Sequence, residues 1–345
     1  MISSLLADFQ FPHFGLKAAD KPVTPTSVKQ AFILGAGLGT RLRPLTERLP
    51  KPLVPLFHRP LAEWALMACA EAGIDRFALN THYLPEAWAR FGSAAASLPQ
   101  PPAGANGVPT IGRTWQGREL TLFHEPVLLE TGGGLKNIAC WIGAEAVLVH
   151  NGDIFSTLPL ERLIAAHEAS GLPVTLALRS NGDAKHIALD ESGTRCTDIR
   201  GRLGRAEGTH VFSGIYCVSP ELLEMLPAGE KVSVIPAFLE LAQAGRLGTL
   251  ILDDGIWLDL GDRAAYLRAH RDLILGPELH PDAIIEAGAR VERSVVGPGA
   301  VVQAGAVLRD SIVWPGCRVA ANAVLDACVV FSNMPARGTH RGEDL

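Results

Sequence analysis

The sequence predicts an α/β domain with a mostly parallel sheet, followed by a short stack of β-coils. Two observations carry this prediction. Between residues 31 and 178, short apolar runs alternate with helix-like stretches in units of about 30 residues, a pattern typical of parallel sheets covered on both faces. After Pro277 the pattern changes to a fixed repeat of small, turn-forming and branched residues, which is typical of stacked coils.

The α/β pattern consists of five strand-like runs and three helix-like stretches. The strands are predicted at 31–34, 76–80, 120–123, 146–150 and 173–178, and the helices at 60–72, 133–142 and 159–170. Residues 93–118, rich in Ala, Pro and Gly, predict an insertion or exposed loop. Short turn-rich pieces over 182–218 predict an antiparallel excursion, and a helical stretch near 262–275 closes the domain.

The repeat after Pro277 consists of three ungapped segments of 17 residues. They are "HPDAIIEAGARVERSVV" (280–296), "GPGAVVQAGAVLRDSIV" (297–313) and "WPGCRVAANAVLDACVV" (314–330). Proline takes the second place in each segment, and aliphatic residues recur at fixed places. The repeat resembles the hexapeptide-repeat left-handed β-helix. The predicted organisation is therefore an N-terminal extension (1–29), a catalytic domain (30–276), a β-helix of three coils (277–332) and a C-terminal tail (333–345).

Composition excludes several classes of function. The 345 residues carry a formal net charge of −5 with no long basic run, so a nucleic-acid partner is not expected. Six cysteines are scattered without a Cys-x-x-Cys pair, which fits neither a disulfide framework nor a zinc site. The chain has no apolar run long enough to span a bilayer and no signal-peptide pattern. We expect a cytoplasmic protein with no membrane partner.

The most informative stretch is "LGAGLGTRLRPLTERLPKPLVPL" (34–56). Glycines after a buried strand allow successive backbone amides to approach an anion, so this turn predicts a phosphate site. A dinucleotide fingerprint does not fit, because Thr40 replaces its third glycine and Pro44 interrupts the helix. The Walker string is absent as well. Arg41 and Lys51 then supply two cations, with Lys51 fixed between two prolines.

This stretch resembles the signature of sugar-1-phosphate nucleotidyltransferases, written GxGTRLxPxTxxxxKP, and the likeness extends over about 30–275. Among them, the "ETGGG" and "FSGI" pieces look closest to N-acetylmuramate-1-phosphate uridylyltransferases and mannose-1-phosphate guanylyltransferases. The resemblance implies a Rossmann-like nucleotidyltransferase domain and Mg²⁺. It implies a reaction in which an NTP, with UTP or GTP favoured, and a sugar 1-phosphate give an NDP-sugar and pyrophosphate.

The resemblance also implies roles for individual residues. Arg41 would bind the β- and γ-phosphates, and Lys51 would bridge the α-phosphate and the sugar phosphate. Asp153 and Asp259 would hold the metal, with Asp262 as the rival of Asp259 in the same motif. The nucleotide would contact two groups of residues: Leu34, Gly35, Ala36, Gly37, Gly39 and Thr40 in the loop, and Glu130, Thr131, Gly132 and Gly133 in "ETGGG".

The sugar would face Asn80, at the end of a predicted strand, and Gly214 of "FSGIY". The chain departs from the thymidylyltransferase pattern here. The sugar-contacting Glu-Lys-Pro of those enzymes has no counterpart in "GRLGRAEGTH", which puts a second catalytic lysine and a thymidylyl substrate in doubt.

Three alternatives stay open. One is a catalytically silent regulatory subunit, although a silent copy would be expected to lose a metal acid or a phosphate cation. Another is a bifunctional enzyme with acyltransferase activity in the β-helix, although 281–330 contains no histidine. A metal-dependent glycosyltransferase would carry an Asp-x-Asp motif, where this chain has "HNGDIF". The β-helix is interpreted as an assembly element that packs on the catalytic domain or forms a homo-oligomer.

Overall fold

The structure is a computed structural model that describes residues 28–94 and 110–345. The predicted N-terminal extension, except its last two residues, and part of the predicted 93–118 loop lie outside the described residues. Within the described ranges, no helix combines the length and the apolarity that crossing a membrane requires.

The catalytic region alternates strands and helices in chain order. Its strands are β1 (Gln30–Leu34), β2 (Pro55–Leu56), β3 (Arg59–Pro60), β4 (Arg76–Thr81), β5 (Ser93–Ala94), β6 (Thr110–Trp115), β7 (Arg118–His124), β8 (Val147–Asn151), β9 (Ile154–Ser156), β10 (Val174–Arg179), β11 (Ile187–Leu189), β12 (Cys196–Ile199), β13 (Val211–Val218), β14 (Leu247–Ile251) and β15 (Trp257–Asp259). Its helices are α1 (Leu45–Arg48), α2 (Leu61–Glu71), α3 (Glu130–Asn137), α4 (Ala139–Ile142), α5 (Leu160–Ser170), α6 (Pro220–Glu224), α7 (Ile235–Gln243) and α8 (Arg263–Asp272).

A sheet of nine described strands forms the centre of this region, in the order β14-β10-β13-β8-β1-β4-β7-β6-β5. β1 pairs in parallel with β4 on one side and β8 on the other, and β4 pairs in parallel with β7. β13 is antiparallel to both β8 and β10, and β6 is antiparallel to β7. α2 and α5 pack on one face of the sheet, and α3, α4, α6 and α7 pack on the other. The mostly parallel α/β prediction is confirmed.

All five predicted strands and the predicted antiparallel excursion are present. Two expectations need correction. The predicted loop 93–118 contains β5 and β6, because the alternating run "TIGRTW" pairs with β7 across a tight turn. The helix expected at 133–142 begins at Glu130 and is split in two, so the three glycines lie inside a helix rather than in a leading turn.

The chain then forms three sheets of short parallel strands. The strands are β16 (Ile284–Ile285), β17 (Arg290–Glu292), β18 (Val295–Val296), β19 (Val301–Val302), β20 (Val307–Arg309), β21 (Ile312–Val313), β22 (Arg318–Val319), β23 (Val324–Asp326), β24 (Val329–Val330) and β25 (Thr339–Arg341). The pairing follows the 17-residue repeat, for example Val291 with Leu308 and Leu308 with Leu325. The repeat therefore forms a stacked β-helix.

The segment predicted as a C-terminal tail belongs to the β-helix. β25 pairs in parallel with β23, and the backbone of Leu345 bonds with that of Val329 and Phe331. The 17-residue pattern ends before this segment, which is why the sequence did not reveal it. These residues therefore close one end of the coil stack.

The β-helix interior is continuous with part of the catalytic region. A single apolar cluster joins buried coil residues such as Val302 and Leu308 to Leu45 and Leu56, which flank Lys51 in sequence, and to Tyr266 of α8. The coils therefore pack directly behind the segment that follows the glycine loop.

Candidate active site

An open cleft of about 480 Å³ lies at the carboxyl edge of the central sheet, where β1, β4 and β8 end. In open α/β sheets, ligands bind at the carboxyl edge where the strand order reverses, and the chain here reverses across β1. A cleft of this size suits a small organic ligand. It is lined by Leu34, Ala36, Gly37, Gly39, Thr40, Arg41, Lys51, Pro52, Asn80, Leu128, Glu130, Thr131, Asn151, Asp153, Ser233 and Gly261.

The two predicted cations and the two predicted metal acids meet at one end of this cleft. The Nζ atom of Lys51 lies 2.6 Å from Oδ2 of Asp153 and 3.8 Å from Oδ1 of Asp259. Nη2 of Arg41 lies 3.7 Å from Oδ2 of Asp259. The lysine side chain is buried, whereas that of Arg41 is 67% exposed. The formal charges of the two cations and the two carboxylates sum to zero.

Strand pairing explains why the two acids meet. Asp153 follows β8, and the chain turns directly into β9. β15 pairs antiparallel with β9, which places Asp259 opposite Ile154, the residue next to Asp153. The rival acid Asp262 has another task, because its Oδ1 accepts a hydrogen bond from the amide of Ala265 at 2.8 Å and caps α8.

Close packing shapes the loop that carries the cations. Gly39 has a φ of +63°, and a Cβ there would lie 2.9 Å from the Cβ of Lys51 and from Cγ2 of Thr46. Gly261 leaves room for Arg41, since a Cβ at that position would lie 2.8 Å from both terminal guanidinium nitrogens. A larger residue at Gly39 would require the Lys51 or Thr46 side chain to shift, and one at Gly261 would require the Arg41 guanidinium to move.

The predicted sugar contact Asn80 lines the cleft, but its amide is already engaged. Its Oδ1 accepts the amide hydrogen of Gly35 at 2.7 Å, and its Nδ2 donates to Glu125 at 2.7 Å. Glu125 in turn accepts from the amide of Leu129, just before α3. Burial raises the pKa of the Glu125 carboxyl. This chain of bonds joins the glycine loop to the start of α3.

Glu130 and Thr131 line the end of the cleft at α3, while Gly132 and Gly133 do not. The amides of both glycines donate to the carbonyl of Val232, and a Cβ at Gly133 would collide with the carbonyl oxygen of Glu230. The absence of side chains at these glycines therefore lets α3 pack against residues 230–233. Their backbone is not exposed to a nucleotide base. This correction follows from long-range packing, which the sequence did not reveal.

Gly35 and Gly214 do not line the cleft themselves, but each packs against a residue that does. Gly35 packs against β4, and a Cβ there would lie 2.7 Å from the carbonyl oxygen of Asn80. Gly214 packs against the side chain of Asn151, which does line the cleft. His150 is fully buried beside it, its Nδ1 lies 2.8 Å from the Asn151 carbonyl oxygen, and burial lowers its pKa to about 4.

Several cleft residues were missed by sequence reasoning. Asn151 ends a strand two places before the predicted metal acid, so its position could have indicated a role at the site. Gly261 follows the second acid within "LDLGD". Ser233 has no local signal, because it reaches the cleft only through the packing of 230–233 on α3.

Comparison with known proteins agrees with this geometry. The Nucleotidyl transferase family matches residues 30–275, and the GlmU-like C-terminal hexapeptide family matches residues 279–344. The chain belongs to the Nucleotidyl transferase family. The resemblance found in the sequence is thereby confirmed.

Similar individual proteins include a mannose-1-phosphate guanylyltransferase from Mycobacterium tuberculosis, 29% identical over 254 residues, which are 71% of this chain and 65% of that protein. An N-acetylmuramate alpha-1-phosphate uridylyltransferase from Caulobacter vibrioides is 28% identical over 71% of this chain and 97% of its own length. A solved UDP-glucose pyrophosphorylase from Acinetobacter baumannii superposes with a TM-score of 0.56 at 18% identity, covering 70% of this chain and 92% of that one. The last likeness concerns the fold alone.

Proposed function

We propose that this protein is a sugar-1-phosphate nucleotidyltransferase. It would transfer a nucleoside monophosphate from an NTP to a sugar 1-phosphate and release pyrophosphate. The observation that carries the proposal is the buried Lys51, which lies between Asp153 and Asp259 at the end of a cleft floored by the glycine loop. Family membership and the relatives' names support the same reaction.

The proposed chemistry needs charge neutralisation more than proton transfer. An oxygen of the sugar phosphate attacks the α-phosphorus and forms a new P–O bond, while the bond from that phosphorus to the bridging oxygen breaks and pyrophosphate leaves with the electron pair. The nucleophile is already an anion, so no general base is required. Lys51 would contact both the attacking phosphate and the α-phosphate, and Arg41 the leaving β- and γ-phosphates. Positioned cations of this kind are the main source of catalysis in phosphoryl transfer.

Asp153 and Asp259 fit a magnesium ion. Enzymes of this family typically use a divalent metal. Mg²⁺ is usually bound by one or two carboxylates together with substrate phosphates, and these two carboxylates both lie within 3.8 Å of the same Nζ. When bound, the ion would neutralise charge on the phosphates. The chain's own part is to present these two carboxylates on the same side as Lys51.

We propose that the other end of the cleft binds the nucleoside, with UTP or GTP as the donor. Glu130 and Thr131 would contact the base, as they line the cleft at the start of α3. The glycine loop would bind the phosphates and ribose, and the sugar would lie toward Asn80 and the Asn151–Gly214 contact. The two relatives differ in nucleotide, one being a guanylyltransferase and the other a uridylyltransferase, which is why both donors are proposed.

We further propose that the protein works in the cytoplasm and assembles with copies of itself through the β-helix. All six cysteines are free, and five of them are buried, which suits a reducing compartment. Neither nucleic acid nor a membrane is proposed as a partner.

The test is pyrophosphate release with Mg²⁺ for each of the four ribonucleoside triphosphates and dTTP, against a panel of sugar 1-phosphates. Release confined to one nucleotide and one sugar would establish the reaction and its specificity together. A Lys51→Ala variant, which should lose release, excludes a contaminating enzyme. Folded protein that binds nucleotide but releases no pyrophosphate with any pair would instead indicate a regulatory subunit.

A further inference from the structure

The segment that carries Lys51 is anchored at both ends by parts of the chain far away in sequence. It runs from Arg48, at the end of α1, to Phe57, and its central turn is short and bonded internally. Within this turn the amide of Leu53 donates to Pro50 at 2.8 Å, and the amide of Val54 donates to the carbonyl of Lys51 at 3.1 Å. Because so few rotatable bonds separate Lys51 from these anchors, their positions fix the lysine backbone.

The first anchor is a buried relay of hydrogen bonds at Pro55. The Tyr266 hydroxyl donates to the Pro55 carbonyl at 2.6 Å, and the indole Nε1 of Trp314 donates to the same hydroxyl at 3.0 Å. All three residues are buried. Burial raises the pKa of the Tyr266 phenol, so the hydroxyl stays protonated and remains a donor.

α8 adds a second bond to the same stretch. The backbone amide of Phe57 donates to Nε2 of His270 at 3.0 Å, and Nδ1 of His270 lies 2.9 Å from the carbonyl oxygen of Tyr266. Burial lowers the pKa of His270 to about 4, so the ring is neutral and can accept this bond.

The other end of the segment reaches the third coil directly. Nη2 of Arg48 donates to Oδ1 of Asn333 at 2.9 Å, and Nη1 lies 3.6 Å from Sγ of Cys317. The β-helix therefore reaches the segment on both sides of Lys51, directly at Arg48 and through Tyr266 at Pro55.

Trp314 departs from the repeat that builds the β-helix. It is the first residue of the third segment, where the first and second segments have His280 and Gly297. A coil needs no tryptophan at this place to stack on its neighbours. The side chain instead reaches Tyr266, while His280, two coils away, contacts the ring of His58. The first position of the repeat thus faces the catalytic region, and its large residue lies where the Lys51 segment is anchored.

We propose that Tyr266 and Trp314 are positioning residues, through which the β-helix holds Lys51 in its place beside the two carboxylates. This inference rests on the proposed function. The β-helix would then contribute to catalysis within each copy of the protein, in addition to any role in joining copies together. Misplacing a reacting group by about 1 Å can cost about 100-fold in rate, so loss of one bond in the relay should be visible in turnover.

The chain offers matched controls for each substitution. Tyr216 is as buried as Tyr266 and Trp141 is as buried as Trp314, but the Tyr216 hydroxyl and the Trp141 indole nitrogen have no hydrogen-bond partner among the residues that the structure describes. Both controls lie in the core on the far face of the sheet. Tyr216→Phe and Trp141→Phe therefore remove the same atoms without breaking a bond to the Lys51 segment.

The experiment compares Tyr266→Phe and Trp314→Phe with these controls in the full-length protein. With Mg²⁺, the NTP and the sugar 1-phosphate that the wild type uses, kcat should fall about tenfold in Tyr266→Phe and less in Trp314→Phe, while the KM for NTP changes less than twofold. Rates are normalised to the folded fraction, so general destabilisation would not imitate the effect. Equal kcat in Tyr266→Phe and Tyr216→Phe would overturn the proposal.

Hydrogen exchange gives a readout that does not depend on activity. Backbone amides of Leu53, Val54 and Phe57 should exchange faster in Tyr266→Phe than in wild type. Their exchange rates should be unchanged in Tyr216→Phe. Absence of activity in the wild type would refute the proposed function while leaving this measurement to decide the anchor. Unchanged exchange in Tyr266→Phe would refute the anchor whatever the activity.

Discussion

The cleft and the β-helix are built in opposite ways. The β-helix repeats one local solution, in which each coil places its aliphatic residues over those of the coil 17 residues earlier. The cleft has no such repeat, and its charged end joins Arg41 and Lys51 to two acids much later in the chain, one following β8 and one on β15. The first region is stable because every coil buries apolar side chains, while the second gathers charge at a solvent-accessible edge.

The difference shows how the two regions depend on each other. The charge cluster contributes little net stability, because desolvation of the buried Lys51 offsets much of its attraction to the carboxylates and solvent screens the exposed Arg41. The apolar coils therefore supply packing that the charged loop cannot supply for itself, and the shared cluster through Leu45, Leu56 and Tyr266 is where this happens.

The largest effect should come from the acid at the charged end of the cleft. Asp259→Ala should lower kcat by about 10²–10³-fold, because it removes one of the two carboxylates proposed to hold the metal, with little change in stability. Asp262→Ala should do the reverse, costing about 1 kcal/mol of unfolding free energy through loss of the α8 cap. Steady-state kinetics and urea unfolding of both variants measure this. If Asp262→Ala is the less active of the two, the metal assignment is wrong.

Within the β-helix, substitutions should change stability. The size of the change should depend on whether the side chain is buried inside the coils or exposed on their surface. Leu308 is fully buried, and Leu308→Ala should lower the free energy of unfolding by about 3 kcal/mol, since it leaves a cavity in the coil interior. Its neighbour Arg309 forms an exposed ion pair with Glu292, so Arg309→Ala should cost less than about 1 kcal/mol. Urea unfolding compares them. Similar losses would contradict a closely packed interior.

A smaller effect concerns the junction between the two regions. The folded-state pKa of His270, about 4, lies below the ordinary value of 6.5, so the unfolded chain binds more protons between these values. Stability is therefore lost as pH falls from about 6.5 toward 4, and His270 should account for about 2 kcal/mol between pH 7 and pH 5. Urea unfolding at both pH values measures the change.

The control for this prediction is a histidine with the opposite shift. The pKa of His340 is raised by its hydrogen bonds to the Arg337 carbonyl and to Glu343, so its contribution is present below the ordinary pKa and is lost as pH rises through the folded-state pKa. His270→Gln should reduce the loss of unfolding free energy between pH 7 and pH 5, and His340→Gln should not. An unchanged pH dependence in His270→Gln would show that this ring titrates normally.

Much of this organisation could be predicted from the sequence, because the decisive patterns are local. Alternating strands and helices predicted the sheet, and the 17-residue period predicted the coils. The spacing from Gly35 to Lys51 resembled a family signature, and the family comparison confirmed it. The individual site residues remain predictions, although Arg41, Lys51, Asp153 and Asp259 converge on one cleft.

The glycines of α3 show why part of the site could not be predicted. Gly132 and Gly133 were interpreted as a surface for the base, whereas they pack against residues 230–233. This glycine-rich motif was assigned to a ligand because its protein partner lies too far along the chain to be seen in a local pattern. Asn80 stays a predicted sugar contact, and its amide also bonds to Gly35 and Glu125.

The sequence by itself determined which chemistry the loop can perform and how the coils stack, since both follow from residue type at fixed spacing. The tertiary structure alone decided which distant groups meet: Asp259 beside Lys51 through the pairing of β15 with β9, and Trp314 on Tyr266 through the docking of the coils. Periodicity constrains neighbours along the chain, whereas these contacts depend on how separate elements pack, and no local pattern encodes that.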